Sequence, residues 1–254
     1  MKLYTNGCSF TQGHAIEGNS TIYKANNFKY MSDVKDDRAW PWQLGFDHVF
    51  NHGAKGASSS RITRTTIEFL SHIPDNEVKD WTVIMQFSTP DRYEVLVDST
   101  VEEFATINEV GEKGIYDLGA IRDVDLDATT ASQMVAYFAG ARSYKQKLYT
   151  QVKEMLIAVT YLESRGANYL ITGLDELCSD IEKIKQASQV ELYDCYSPAL
   201  TRLCDAVPTH NIVEAMHLDG KAELHDSCGH PNKEGHKWFS NYILNELQTR
   251  GYIT

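Results

Sequence analysis

Apolar residues along this chain recur in two rhythms, short unbroken runs and helical stripes, and the two alternate. "KLYTN" (2–6) reads as a first strand that ends in a Gly turn. "FDHVFN" (46–51) reads as a second, followed at once by the Gly- and Ser-rich "HGAKGASSS". In "RITRTTIEFLSH" (61–72) Ile62, Thr66, Phe69 and Leu70 share one helix face, and the serines before it suit an N-cap. "WTVIMQF" (81–87) is apolar throughout, the mark of a strand covered on both faces, and Pro90 blocks its extension. Between Ser143 and Arg165 the positions Leu148, Val152, Met155, Leu156, Val159 and Leu162 keep helical spacing, with Gly166 as the stop. "NYLITG" (168–173) and "NIVEA" (211–215) supply a fourth and a fifth strand. "HPNKEGHKWFSNYILNELQ" (230–248) closes the chain as a helix with Pro231 in its first turn.

Strands alternating with helices imply a parallel sheet wrapped by helices, with the site beyond the carboxyl ends of the strands. Three loops then converge: 7–13, 52–60 and 87–92. Residues 94–140 break the rhythm. They are acidic, carry four glycines and hold no sustained period, which reads as an insertion or cap over the edge of the sheet. No repeat or linker divides the chain, so one domain over residues 1–254 is expected.

Composition narrows the function classes. The formal net charge is −11 and no Lys/Arg cluster stands out, which argues against nucleic acid as a partner. No apolar run is long enough for a bilayer, and "MKLYTNGCSF" lacks the apolar core of a signal peptide. A soluble, cytoplasmic protein is the expectation. The five cysteines have no paired spacing and fit reduced thiols better than a disulfide framework.

Candidate chemistry begins at "YTNGCSFTQG" (4–13), where Gly7 and Gly13 bracket a strand-to-helix turn with Ser9 near its apex. There a hydroxyl stands above the sheet, and the Ser9 N–H points into the same space. Acyl transfer by serine needs an imidazole to take the proton and a carboxylate to orient that imidazole. "LHDSCGHPNKEGH" provides both, Asp226 and His230, in a short loop just before the last helix. The bland alternatives are a turn hydroxyl at Ser9 and a polar cap at the final helix. Arg92, just past the third strand, is either an ion-paired loop residue or an anchor for a substrate carboxylate. Trp40, Pro41 and Trp42 read as core.

Together these segments resemble the SGNH hydrolases, also called GDSL esterases and lipases. "GCSF" (Gly7–Phe10) matches the first block, with Cys8 in place of the usual Asp; "NHGAKG" (Asn51–Gly56) matches the second; "DSCGHPNKEGH" matches the last. The resemblance implies a three-layer α/β/α, flavodoxin-like fold around a mainly parallel five-stranded sheet, and a serine esterase that needs no cofactor or metal. It implies Ser9, His230 and Asp226 as the triad, with the N–H groups of Ser9 and Gly56 in the oxyanion hole. The substrate it implies is a small-molecule or carbohydrate ester, including O-acetyl groups. The compact "GCSFTQG" is similar to SGNH-like proteins of phages and bacteria, which adds virion association as a second location. Two departures stand out. "QFSTPDR" replaces the third block, Gly-x-Asn-Asp, and places Ser88 at the oxyanion Asn. One extra residue also separates Asp226 from His230.

Two rival readings stay open. His225, Cys228, His230 and His236 could form a metal cluster, although His230 and His236 are six apart, unlike the i, i+4 pairs of zinc enzymes. The altered third block could also mark a retained fold that serves as a binding or structural module in a larger, for example viral, assembly.

Overall fold

The computed structural model describes residues 1–13, 16, 37–54, 56–90, 92–98, 103–110, 115–117, 144–173, 203, 216–221, 224 and 230–253. The elements in chain order are β1 (Lys2–Asn6), α1 (Ser9–Gln12), α2 (Trp40–Gln43), β2 (His48–Asn51), α3 (Ser59–Ser71), α4 (Asp75–Val78) and β3 (Trp81–Phe87). They continue with β4 (Arg92–Asp98), β5 (Glu103–Val110), β6 (Ile115–Asp117), α5 (Tyr144–Ser164), β7 (Asn168–Gly173) and α6 (Lys233–Thr249).

β2, β1, β3 and β7 form one parallel sheet in that order. The chain therefore winds outward from β1 in both directions, and the order reverses between β1 and β3. That is the switch point of a flavodoxin-like three-layer α/β/α fold, where the loops leaving neighbouring strands diverge and open a crevice. The sheet described has four strands; the fifth expected at 211–215 lies outside the described residues. The unbroken apolar run of β3 is buried from Thr82 to Phe87, as a strand covered on both faces must be.

The helices follow from their stripes. In α5 the buried apolar positions are Leu148, Val152, Met155, Ala158, Val159 and Leu162, each i+3 or i+4 from a neighbour. Gly166 then takes φ 67°, and the Ala167 N–H returns to the Leu162 carbonyl, which ends the helix. α3 opens on Ser58, whose side chain accepts from the Arg61 N–H. α6 starts later than its sequence suggests. Asn232 is its N-cap and accepts from the Gly235 N–H, so Pro231 stands before the cap and not in the first turn. An amide side chain can satisfy an otherwise orphaned N–H, which a proline ring cannot.

Trp40, fully buried in α2, meets Phe239 of α6 edge to face at 5.1 Å, in keeping with its assignment to the core. These side chains and those of the sheet belong to one continuous buried cluster. Full burial of each aliphatic side chain is worth about 1.5–3 kcal/mol against exposure.

Of the 94–140 region, expected as an insertion or cap, only 94–98, 103–110 and 115–117 are among the described residues. β4, β5 and β6 form a separate three-stranded antiparallel sheet, which begins already at Arg92, and β4 lies against α3. Charged and polar residues break its apolar positions into runs of three or fewer, so no long apolar run marks the strands. Among the described residues, no helix is long and apolar enough to cross a membrane.

One polar knot joins the sheet to α3. Asn6, the last residue of β1, is fully buried. Its Nδ2 lies 2.8–3.1 Å from Thr65 Oγ1, Thr66 Oγ1, the Ile62 carbonyl and the Tyr4 hydroxyl, while its Oδ1 accepts from the Gly7 N–H. Removing such a group strands its partners in the interior. Asn6→Ala should lower the unfolding free energy by about 2–3 kcal/mol with an unchanged m-value. Urea denaturation checks this; a loss under about 0.5 kcal/mol would show that the knot is dispensable.

Candidate active site

The turn after β1 is shaped by what cannot fit there. A Cβ on Gly7 would sit 2.2 Å from Thr11 Oγ1 and 3.0 Å from Gln86 Cβ, so only glycine lets the chain fold back this tightly. Cys8 follows as the extended N-cap of α1; its thiol is buried, unoxidised and makes no capping hydrogen bond. α1 is a single turn with Ser9 first. It closes on Gly13, which adopts φ 81° and returns its N–H to the Ser9 carbonyl. As the first residue of the helix, Ser9 has a backbone N–H with no intrahelical acceptor.

The second loop, after β2, is laid directly over this turn. Asn51 makes three bonds there: its Oδ1 accepts from Thr5 Oγ1 (3.1 Å) and the Gly53 N–H (3.0 Å), and its Nδ2 donates to the Thr11 carbonyl (2.9 Å). The His52 N–H donates to the Thr5 carbonyl and the Ala54 N–H to the Gly7 carbonyl. At Gly53 a Cβ would meet the Gln12 amide nitrogen at 2.7 Å and the Thr11 carbonyl carbon at 3.0 Å, both backbone atoms of α1. Gly56, two residues beyond Ala54, is buried with φ 76°. Among the described residues its N–H is given to no backbone carbonyl.

The third contribution crosses the length of the chain. His230, just ahead of the cap of α6, places Nε2 2.8 Å from Ser9 Oγ. Its ring lies 4.9 Å from that of Phe10, tilted by 37°. Asn232 ties this stretch down, its N–H on the Leu224 carbonyl, and Gly235 passes so close to Leu224 that a Cβ would lie 2.6 Å from that carbonyl oxygen. Ser9 is 2% exposed, so its hydroxyl meets the imidazole largely shielded from water. Asp226 lies outside the described residues, as do His225 and Cys228. His236 is fully buried and accepts the Trp40 N–H on Nδ1 at 3.4 Å, the role of a core histidine.

After β3, Ser88 is buried and its hydroxyl has no hydrogen-bond partner among the described residues. Gln151 of α5 donates to the Ser88 carbonyl at 2.6 Å, which fixes the start of the third loop. Thr11 Oγ1 donates to Gln86 Oε1, also at 2.6 Å, and couples α1 to the end of β3. Arg92 opens β4 half-buried, with Nη1 buried and unpartnered.

His52 escaped the sequence reading, and only its place in the second loop could have drawn attention to it. It is buried beside Tyr4, whose hydroxyl lies 3.1 Å from its Nδ1. Burial, with the cations of Arg61 and Arg64 adding to it, pushes its pKa down to about 3. Burial likewise pushes the Tyr4 hydroxyl well up, so both groups are neutral at working pH.

No protein-family model matches the chain, and no curated protein matches it. Solved structures do. The psychrotrophic esterase EstA from Pseudoalteromonas sp. aligns at a TM-score of 0.47 and 9% identity over 99% of each chain. A member of the lipolytic G-D-S-L family from Veillonella parvula aligns at 0.43 and 14% identity over 98% of this chain and 99% of that one. An acetyl xylan esterase from Butyrivibrio proteoclasticus aligns at 0.44 and 12% identity, over 99% of this chain and 65% of that one.

The depressed His52 fixes a sign for stability. An unfolded histidine takes up its proton near pH 6.5, while the folded site refuses it until about pH 3. Stability is therefore full above about pH 6.5 and falls as pH drops, by up to roughly 1.4 kcal/mol per unit. His52→Gln should flatten this slope in a series of urea melts from pH 7 to about pH 4. An equal slope in both proteins would contradict a neutral, buried His52.

Proposed function

We propose that the chain is a serine hydrolase that cleaves carboxylic esters, carbohydrate O-acetyl groups among them. The observation that carries this is the 2.8 Å approach of His230 Nε2 to Ser9 Oγ, made between residues 221 positions apart at the carboxyl edge of a parallel sheet. A turn hydroxyl has no need of an imidazole, whereas a nucleophile does. The likeness of "GCSF", "NHGAKG" and "DSCGHPNKEGH" to the SGNH blocks supports the same reading.

In this proposal Ser9 Oγ attacks the ester carbonyl while His230 Nε2 takes its proton. Asp226, four positions before His230, orients the imidazole and stabilises its cation. The carbonyl oxygen, now an oxyanion, is held by the N–H groups of Ser9 and Gly56, with the Ser88 hydroxyl as third donor. Collapse of the tetrahedral adduct expels the alcohol, which takes the proton from His230 and leaves an acyl-Ser9. Water, deprotonated by the same histidine, then attacks the acyl carbon and releases the carboxylic acid. No step calls for a metal or an organic cofactor. Because Ser88 replaces an amide donor with a hydroxyl, turnover is expected to be slow; one oxyanion donor is worth on the order of 10²–10³ in rate.

Hydrolysis of 4-nitrophenyl acetate tests the proposal. Ser9→Ala should lower kcat by roughly 10⁴-fold or more, and Asp226→Asn by roughly 10³–10⁴-fold. For the native protein kcat/KM should fall on the acid side, between about pH 8 and 5, as the imidazole gains its proton. A flat profile, or full activity in Ser9→Ala, would refute the triad. A native protein with no turnover on any ester would favour the binding-module reading.

A further inference from the structure

The guanidinium of Arg92 has no use in the scheme above. Its Nη1 is buried, yet among the described residues nothing accepts a hydrogen bond from it and no carboxylate pairs with it. This occurs in a chain with 35 acidic and 24 basic residues, where counter-ions are plentiful. An arginine cannot shed its charge, and a buried N–H that finds no acceptor is unfavourable even where the rest of the guanidinium is only half-buried. Arginines with a purely structural place are ordinarily paired, as Arg165 is with Asp75 at 2.9 Å.

Its place in the chain puts it close behind the third loop. The β1–β3 register sets Asn6 beside Met85, so the turn that carries Ser9 leaves the sheet level with the end of β3. The Thr11–Gln86 bond pins α1 to that end, and Gln151 pins Ser88 immediately after it. Arg92 follows four residues later, within about 14 Å of Ser88 by chain reach. It thus opens β4 directly after the third of the three loops that border the crevice at the switch point.

We infer that Arg92 binds a carboxylate carried by the substrate, so that the preferred ester is an acidic one, such as an O-acetylated uronic acid. This rests on the hydrolase reading of Ser9 and His230 and adds the substrate class to it. A planar carboxylate can accept two parallel N–H bonds from the guanidinium, which a neutral hydroxyl cannot match.

The test uses two acetylated methyl glycosides that differ only at C5, a glucuronide with a carboxylate and a glucoside with a hydroxymethyl group. The native protein should favour the glucuronide in kcat/KM. Arg92→Gln should shrink that preference by roughly 10–100-fold, the worth of one charge-assisted contact. Arg92→Lys should restore part of it, since it keeps the charge and loses the fork. No preference in the native protein, or a preference that Arg92→Gln leaves intact, would overturn the inference. A second measurement separates this from the hydrolase reading. In Ser9→Ala, methyl glucuronide should raise Tm and methyl glucoside should not, and the added Arg92→Gln substitution should abolish the shift. No shift would overturn the carboxylate site even if esters are cleaved. A shift in a protein that cleaves neither ester would uphold the site and overturn the hydrolase reading.

Discussion

The architecture of the site depends on how closely two loops approach. The loop after β2 lies directly on the backbone of the turn after β1, and two glycines permit it. Gly7 lets the first turn fold against Thr11 and Gln86, and Gly53 lets the second loop touch α1 with no Cβ between them. Asn51 holds the pair together through three bonds, to a side chain of β1, to its own loop and to the Thr11 carbonyl. If either glycine gained a side chain, backbone would have to move, because the atoms in the way are mostly main-chain or fixed in β-branched residues. The Ser9 turn and the loop of residues 51–54 owe their relative positions to this contact.

Beneath that contact the interior is unusually polar for a sheet core. Asn6, Tyr4, His52, Thr65 and Thr66 share one hydrogen-bonded network between β1, the second loop and α3. A polar network in a dry interior is favourable only while each member keeps its partners, and it then fixes a single arrangement. Here it fixes the helix that follows the second loop against the strand that precedes the first. The buried Tyr4 ring, stacked 4.2 Å from Phe69, adds apolar contact to the same junction. The site is thus held at its base by hydrogen bonds and at its flanks by packing, with α6 delivering His230 from the far end of the chain.

Much of this was legible in the residues. The apolar runs located β1, β3 and β7, and the stripe of Leu148, Val152, Met155, Val159 and Leu162 located α5, because burial selects those patterns directly. Ser9 and His230 were legible as candidates from Gly7, Gly13 and the short loop before α6, and the fold brings them together. The antiparallel strands from Arg92 to Asp117 were not legible, since charged and polar residues there break the apolar positions into runs of three or fewer. Nor were the roles of Gly53, Asn6 and His52, whose importance arises from contacts between segments distant in sequence. Pro231 misled by two residues, because Asn232 beside it is the better cap and the helix opens at Lys233.

The central claim is that Ser9 is a nucleophile activated by His230, and covalent capture addresses it most directly. Treated with a fluorophosphonate, the native protein should gain one phosphonyl group, which peptide mass mapping places on Ser9, while Ser9→Ala and a heat-denatured sample gain none. Absence of labelling in the folded native protein at high probe concentration, or a phosphonyl group mapped to another residue, would contradict the account.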